Sequence, residues 1–143
     1  MVTQGFTILL VEDDEGHAML IQMNLKDSGL KSPIHHVTDG QAALDYVKQA
    51  TALGNVDSLL ILLDLNLPVV DGYGVLTQLK SDPETRKIPV IILTSSYDNR
   101  EIERCYELGC NVYLRKPVEY NSFVHAVKQL GTFISVIELP DAN

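Results

Sequence analysis

The chain has 143 residues, 45% hydrophobic and 21% charged, with a formal net charge of -8. That size predicts one domain, here taken as residues 1–143, which buries about two-thirds of its unfolded surface without disulfide or metal staples. Its negative charge argues against autonomous nucleic-acid binding; no apolar run reaches the roughly eighteen residues of a membrane span; residues 1–5 carry no signal-peptide pattern, so cytoplasmic residence is the default expectation.

Thr7 to Glu12 reads as a strand, apolar from Ile8 to Val11 as for a strand covered on both faces. Asp14 is placed to cap a helix with the face Ala18, Ile21 and Leu25, and Gly29 to end it. Ile34 to Val37 is a short second strand, and Asp39 caps a helix carrying Ala43, Leu44 and Val47. The run Leu59 to Leu63 with Asp64 is a buried third strand, closed by Pro68. Asp71 opens a helix with Val75, Leu76 and Leu79, and Asp82-Pro83 marks the loop beyond it. Pro89 to Thr94 is the fourth strand. Asn99 to Leu108 is a helix with Ile102, Cys105 and Tyr106 as inner positions and Gly109 as its stop. Asn111 to Arg115 is the fifth strand, and a last helix from near Glu119 shows Phe123, Val127 and Leu130. Five strands alternating with five helices predict a doubly wound α/β fold with a parallel sheet in order 2-1-3-4-5.

In that order Asp13 and Asp64 end neighbouring strands on one edge, with Glu12 beside them. Such carboxylates repel one another unless a cation neutralises them. Mg2+ suits the position, because it takes oxygen ligands and keeps waters that a phosphoryl oxygen can replace. Thr94 and Lys116 end strands 4 and 5 and flank Asp64 with a hydroxyl and an ammonium, the donors an incoming phosphoryl group needs. The set reads as a site for phosphoryl transfer onto a carboxylate.

These segments resemble the receiver domain of two-component response regulators. The likeness is carried by residues 8–14, by residues 62–68 with Asp71-Gly72, by residues 92–96 and by residues 113–117. It implies a flavodoxin-like (βα)5 fold and a non-enzymatic switch in which Asp64 accepts a phosphoryl group from a sensor histidine kinase. It further implies that Glu12 and Asp13 form the acidic pair for Mg2+, with Asp13 the direct ligand and the backbone carbonyl of Asn66 completing the protein's share. Thr94 and Lys116 would bind the phosphoryl oxygens, Lys116-Pro117 would be cis, Thr94 and Tyr113 would form the switch pair, and Asn66 and Ser96 would tune hydrolysis. Residues 61–68, the loop from Ala50 to Asp57 and the ending Phe133 to Pro140 narrow the likeness to the phytochrome-associated single-domain regulators.

Two alternatives differ in class. A haloacid dehalogenase-type phosphatase also uses an Asp nucleophile and Mg2+, but it needs a second Asp where Asn66 stands and an acidic pair after the lysine. A flavin binder needs a phosphate loop where Glu12-Asp13-Asp14 would repel it. Cys105 and Cys110 read as small apolar residues of a reducing compartment rather than a metal or disulfide pair. His35 and His36 read as a solvated strand edge, and His17 either as an exposed first-turn residue or as the rim of the site. The extension at residues 132–143 runs through Phe133, Ile134, Val136, Ile137 and Leu139, apolar in both helical and alternating registers. It predicts a homodimer, or else a tail folded over its own core; the receiver resemblance implies that the pairing runs through the side formed by helix 4, strand 5 and helix 5.

Overall fold

The computed structural model describes residues 6–27 and 29–130, with side chains as far as Ala126. Strand β3 (Leu59–Asp64) is buried at every position, as a continuous apolar run in a sheet covered on both faces should be. It pairs in parallel with β1 (Thr7–Val11) and with β4 (Val90–Thr94). The edges are β2 (Ile34–Val37) and β5 (Val112–Arg115), so the sheet order is β2-β1-β3-β4-β5. Crossovers run through α1 (Glu15–Asp27), α2 (Gly40–Ala52), α3 (Gly72–Ser81) and α4 (Asn99–Glu107), and α5 (Tyr120–Leu130) follows β5.

Alternate residues of each strand face opposite sides of the sheet. Ile8, Leu10, Leu60 and Leu62 pack with Ala18, Ile21 and Leu25 of α1 and with Phe123 of α5. Leu9, Val11, Ile61 and Leu63 pack with Val47 of α2, Val75 and Leu76 of α3 and Cys105 of α4. Four aspartates start the four crossover helices. Asp14 accepts the N–H of His17 at 2.9 Å, Asp39 that of Ala42 at 2.7 Å, Asp71 that of Gly74 at 2.8 Å and Asp98 that of Arg100 at 2.9 Å. Each carboxylate satisfies a helix-start donor and suits the positive end of the helix dipole. At the other ends, Gly29 (φ 107°) and Gly109 (φ 101°) adopt the left-handed conformation. The next N–H then reaches back five residues, Leu30 to Leu25 at 3.1 Å and Cys110 to Cys105 at 3.0 Å.

Several details differ from expectation. β1 stops at Val11, β4 starts at Val90, β5 starts at Val112 and α4 ends at Glu107, each one residue shorter than the pattern suggested. A short 3-10 turn at Val56–Ser58 precedes β3. Leu44 and Ile102 are only half-buried, and Tyr106 is 46% exposed rather than inward. Cys105 is the one buried residue of α4, and its neighbour in sequence is rotated about 100° around the helix, which turns Tyr106 out. Its ring meets Tyr113 edge-on, with centroids 6.1 Å apart. The side chains of Val127 and Leu130, and the proposed interface at Phe133–Leu139, lie outside the described residues.

Gly72 brings α3 against the end of β3. A Cβ there would lie 2.5 Å from the carbonyl oxygen of Asp64 and 2.6 Å from the Cα of Leu65, and both obstacles are backbone. Gly72→Ala is therefore expected to cost about 2–3 kcal/mol, in the upper range for overpacking. Urea unfolding checks it; a loss below about 0.5 kcal/mol, the scatter of neutral surface changes, would contradict this account of the close approach.

Candidate functional site

Parallel pairing sends all five strand ends to one edge of the sheet, where open α/β sheets hold ligands. Val11 sits opposite Leu63, so Glu12 and Asp13 emerge next to Asp64. Thr94 ends β4 opposite Arg115, and Lys116 follows, its backbone N–H bonded to the carbonyl of Thr94 at 2.8 Å. The peptide between Lys116 and Pro117 is cis, as expected.

Oxygens of Glu12, Asp13 and Asp64 lie within 4.8 Å of one another. Glu12 is fully buried, Asp64 is 4% exposed and Asp13 faces solvent. The Lys116 ammonium enters between them, 2.5 Å from Oε1 of Glu12 and 3.2 Å from Oδ2 of Asp64. Burial works against the charge on Lys116, yet the two carboxylates more than offset it and raise its pKa. Glu12 is also raised. Burial is the main cause and Asp64 adds to it, with Lys116 only partly compensating. Oε1 of Glu12 is buried with no hydrogen bond to it among the described residues, leaving the ion contact with Lys116 as its compensation there. Three carboxylates against one ammonium leave this pocket short of positive charge. A hard divalent cation fits that deficit and that oxygen donor set.

The structure brings together Glu12, Asp13, Asp64 and Lys116. Asn66 is exposed at the mouth, and its N–H points to Oδ1 of Asp64 at 3.4 Å. Thr94 is buried, but its hydroxyl donates to Oε1 of Glu101 at 3.2 Å rather than to the acidic cluster. Ser96 is occupied locally. Its N–H donates to Thr94 Oγ1 at 2.9 Å, and its hydroxyl oxygen accepts the N–H of Asp98 at 3.0 Å. Tyr113 is half-buried; the guanidinium of Arg115 lies 5.9 Å from its ring and 3.8 Å over that of Tyr97.

His17 satisfies both of its readings: its side chain is 54% exposed, and its Nδ1 lies 3.9 Å from Oε1 of Glu12 and 4.0 Å from Oδ2 of Asp14. His35 is exposed and stacks on Tyr46 with centroids 4.6 Å apart. His36 corrects the view of a merely solvated pair. Its Nε2–H donates to the backbone carbonyl of Glu12 at 2.7 Å. The signal was the β1–β2 register, which sets His36 opposite Leu10. Glu101 was missed as well, since nothing local marks a helix carboxylate as the partner of a strand-end threonine. Cys105 and Cys110 are free and buried, their thiols pushed up by burial to about 11 and about 12, so they stay protonated.

The family model of the response regulator receiver domain matches residues 8–128. Response regulator Rcp1 of Synechocystis sp. is 36% identical over 137 residues, which cover 94% of this chain and 93% of Rcp1. The structure of its Mn2+-bound form matches with a TM-score of 0.70 at 34% identity, covering 94% of this chain and 99% of that one. The bacteriophytochrome response regulator RtBRR matches at 42% identity with a TM-score of 0.82, over 96% of this chain and 86% of RtBRR. The phosphorylated cyanobacterial phytochrome response regulator RcpA matches at 37% identity with a TM-score of 0.71, over 91% of this chain and 94% of RcpA. With the sheet order, the acidic cluster and the lysine at one edge, these matches establish that the chain belongs to the response regulator receiver domain family, among relatives that include phytochrome response regulators.

Proposed function

We propose that Asp64 accepts a phosphoryl group from the phosphohistidine of a sensor histidine kinase, a phytochrome by the likeness to RtBRR and RcpA, in the cytoplasm. The observation that carries the reading is the Lys116 ammonium shared by Glu12 and Asp64 beside a three-carboxylate cluster. One carboxylate oxygen of Asp64 attacks phosphorus, the bond from phosphorus to the imidazole nitrogen breaks with its electron pair leaving on nitrogen, and an acyl phosphate forms. Lys116 then holds one phosphoryl oxygen, and Thr94 turns to donate to another. Mg2+, held by Asp13, Asp64 and the backbone carbonyl of Asn66 with Glu12 behind them, would supply positive charge for the carboxylates and the phosphoryl oxygens. The phosphorylated RcpA and the Mn2+-bound Rcp1 support both halves of this reading by analogy. The phosphatase alternative lacks its second acid, since Asn66 stands in that place.

Incubation with Mg2+ and acetyl phosphate tests the reading: one acid-labile phosphoryl group per chain is expected, and none without Mg2+. Steady turnover of an unactivated monoester such as p-nitrophenyl phosphate would instead favour the phosphatase. The metal half has a separate readout. Mg2+ at ten times its dissociation constant should stabilise the fold by about 1.4 kcal/mol, a rise in Tm of roughly 4–6 °C. Asp13→Asn should lose most of that shift, because a neutral amide is a poorer ligand for a hard dication. An equal shift in the variant, by calorimetry, would remove Asp13 from the metal set.

The output is a change of surface. Movement of Thr94 toward the phosphoryl group would let the Tyr113 ring turn inward, remodelling the face of α4, β5 and α5 for protein binding. Asn66, whose N–H lies 3.4 Å from Oδ1 of Asp64, and, by the receiver resemblance, Ser96 would set the lifetime of the phosphoryl group. We extend the reading to a homodimer through that same face, completed by Phe133–Leu139 of the extension at residues 132–143. Sedimentation should find the full chain dimeric and a version ending at Gly131 monomeric; a dimer unaffected by the truncation would contradict the part given to the extension.

A further inference from the structure

A threonine hydroxyl has one proton to give. Thr94 Oγ1 accepts the Ser96 N–H at 2.9 Å and spends its own proton on Oε1 of Glu101 at 3.2 Å. Thr94 is buried at the end of β4, and Glu101 is half-buried in the first turn of α4. One hydrogen bond thus ties the sheet edge to the start of that helix. It matters there because α4 buries only Cys105. Side-chain contacts to other elements include the Arg104 guanidinium over the Tyr73 ring, 4.2 Å from its centroid, and the edge-on meeting of Tyr106 with Tyr113.

We propose that Glu101 is a positioning residue that holds Thr94 in its resting orientation and competes with the phosphoryl group for the Thr94 proton. The inference rests on the phosphoacceptor reading above. When Asp64 carries a phosphoryl group, Thr94 turns its proton to it, and Glu101 is left without its donor. The first turn of α4 then loses its tie to β4, and the Tyr106–Tyr113 contact is free to rearrange. The helix itself survives the release. Its N-cap Asp98 accepts the Arg100 N–H at 2.9 Å, the Asp98 carbonyl accepts the Glu101 N–H at 3.1 Å, and an acidic residue in a first turn suits the helix dipole. Glu101 therefore acts as a brake on activation that is set by proton count rather than by bulk.

The test is calorimetric titration with beryllofluoride, a mimic of a phosphoryl group on a carboxylate, in the presence of Mg2+. Glu101→Ala frees the Thr94 proton and should bind about three- to tenfold tighter than the wild type, the span of one hydrogen bond. Glu101→Gln keeps the side-chain shape and an acceptor oxygen without the charge, so it should tighten binding by a smaller factor, and it carries the test if the alanine variant folds poorly. In a Thr94→Ala background the effect of Glu101→Ala should vanish, which a merely structural role would not produce. Wild-type affinity in both Glu101 variants, or tightening that persists without Thr94, would overturn the proposal. A wild-type chain that binds no beryllofluoride would instead overturn the phosphoacceptor reading itself.

Discussion

Asp64→Asn is expected to abolish phosphoryl uptake from acetyl phosphate altogether while the chain stays folded. The amide has the size of the carboxylate but not its nucleophilic oxygen, and nothing else in the cluster replaces it. Glu12 is fully buried and engaged by Lys116, and Asp13 follows β1, whereas Asp64 is the last residue of the central strand β3. The substitution also removes one of the two carboxylates that hold Lys116, which lies 3.2 Å from Asp64 and remains paired with Glu12. The fold should therefore lose little, about 1 kcal/mol or less by the worth of one such contact with its partner still compensated. Intact-mass measurement and urea unfolding on the same preparation check both halves. Labelling at wild-type stoichiometry would remove Asp64 from its role.

Lys116→Ala should be the most destabilising change at the site. It leaves a fully buried Glu12 and a nearly buried Asp64 without their cation. Breaking a buried ion pair typically costs about 3–5 kcal/mol; here Lys116 keeps a little solvent contact and Glu12 is able to take up a proton, so about 3 kcal/mol is expected near pH 7. The pH dependence follows from Glu12. Its pKa in the folded chain already lies above the ordinary 4.5, chiefly through burial. The folded state therefore binds that proton more tightly than the unfolded state does. The resulting stability is fully present below about 4.5 and is lost as pH rises through the raised folded value. Removing Lys116 removes a charge that favours the ionised form, so the folded pKa climbs further and the loss at neutral pH deepens. The variant should lie nearest the wild type below pH 4.5 and furthest from it at pH 7–8, and Mg2+ should narrow the gap. An equal deficit at both ends of the range, measured by urea unfolding, would show that Lys116 contributes by packing rather than by charge.

The fold and the acidic cluster were legible because their signals are local. The run Leu59–Asp64 is apolar at five successive positions and all six residues prove buried. Asp14, Asp39 and Asp71 each stand where a helix begins, and each accepts an N–H there. Gly29 and Gly109 both take the positive φ that ends a helix. Once the alternation of elements sets the strand order, Glu12, Asp13, Asp64 and Lys116 are carried to one edge by topology alone. What stayed hidden depends on contacts between elements. The bond of His36 to the Glu12 carbonyl follows from the register of two strands. The bond of Thr94 to Glu101 spans a strand end and the next helix, and a serine turn between them supplies the geometry. Tyr106 was misplaced because α4 is short and polar, and in so short a stripe a single rotation about the axis separates a buried Cys105 from an exposed neighbour.

The central claim is that a carboxylate at the end of β3 becomes an acyl phosphate. Borohydride reduces an acyl phosphate of aspartate to the alcohol and leaves free carboxylates untouched. The chain should be treated with Mg2+ and acetyl phosphate, reduced, digested and sequenced by mass spectrometry. Homoserine at position 64, absent when Mg2+ is withheld, is the predicted result; an unreduced Asp64 in a chain that has gained a phosphoryl group, or the reduced residue at position 12 or 13, would contradict it.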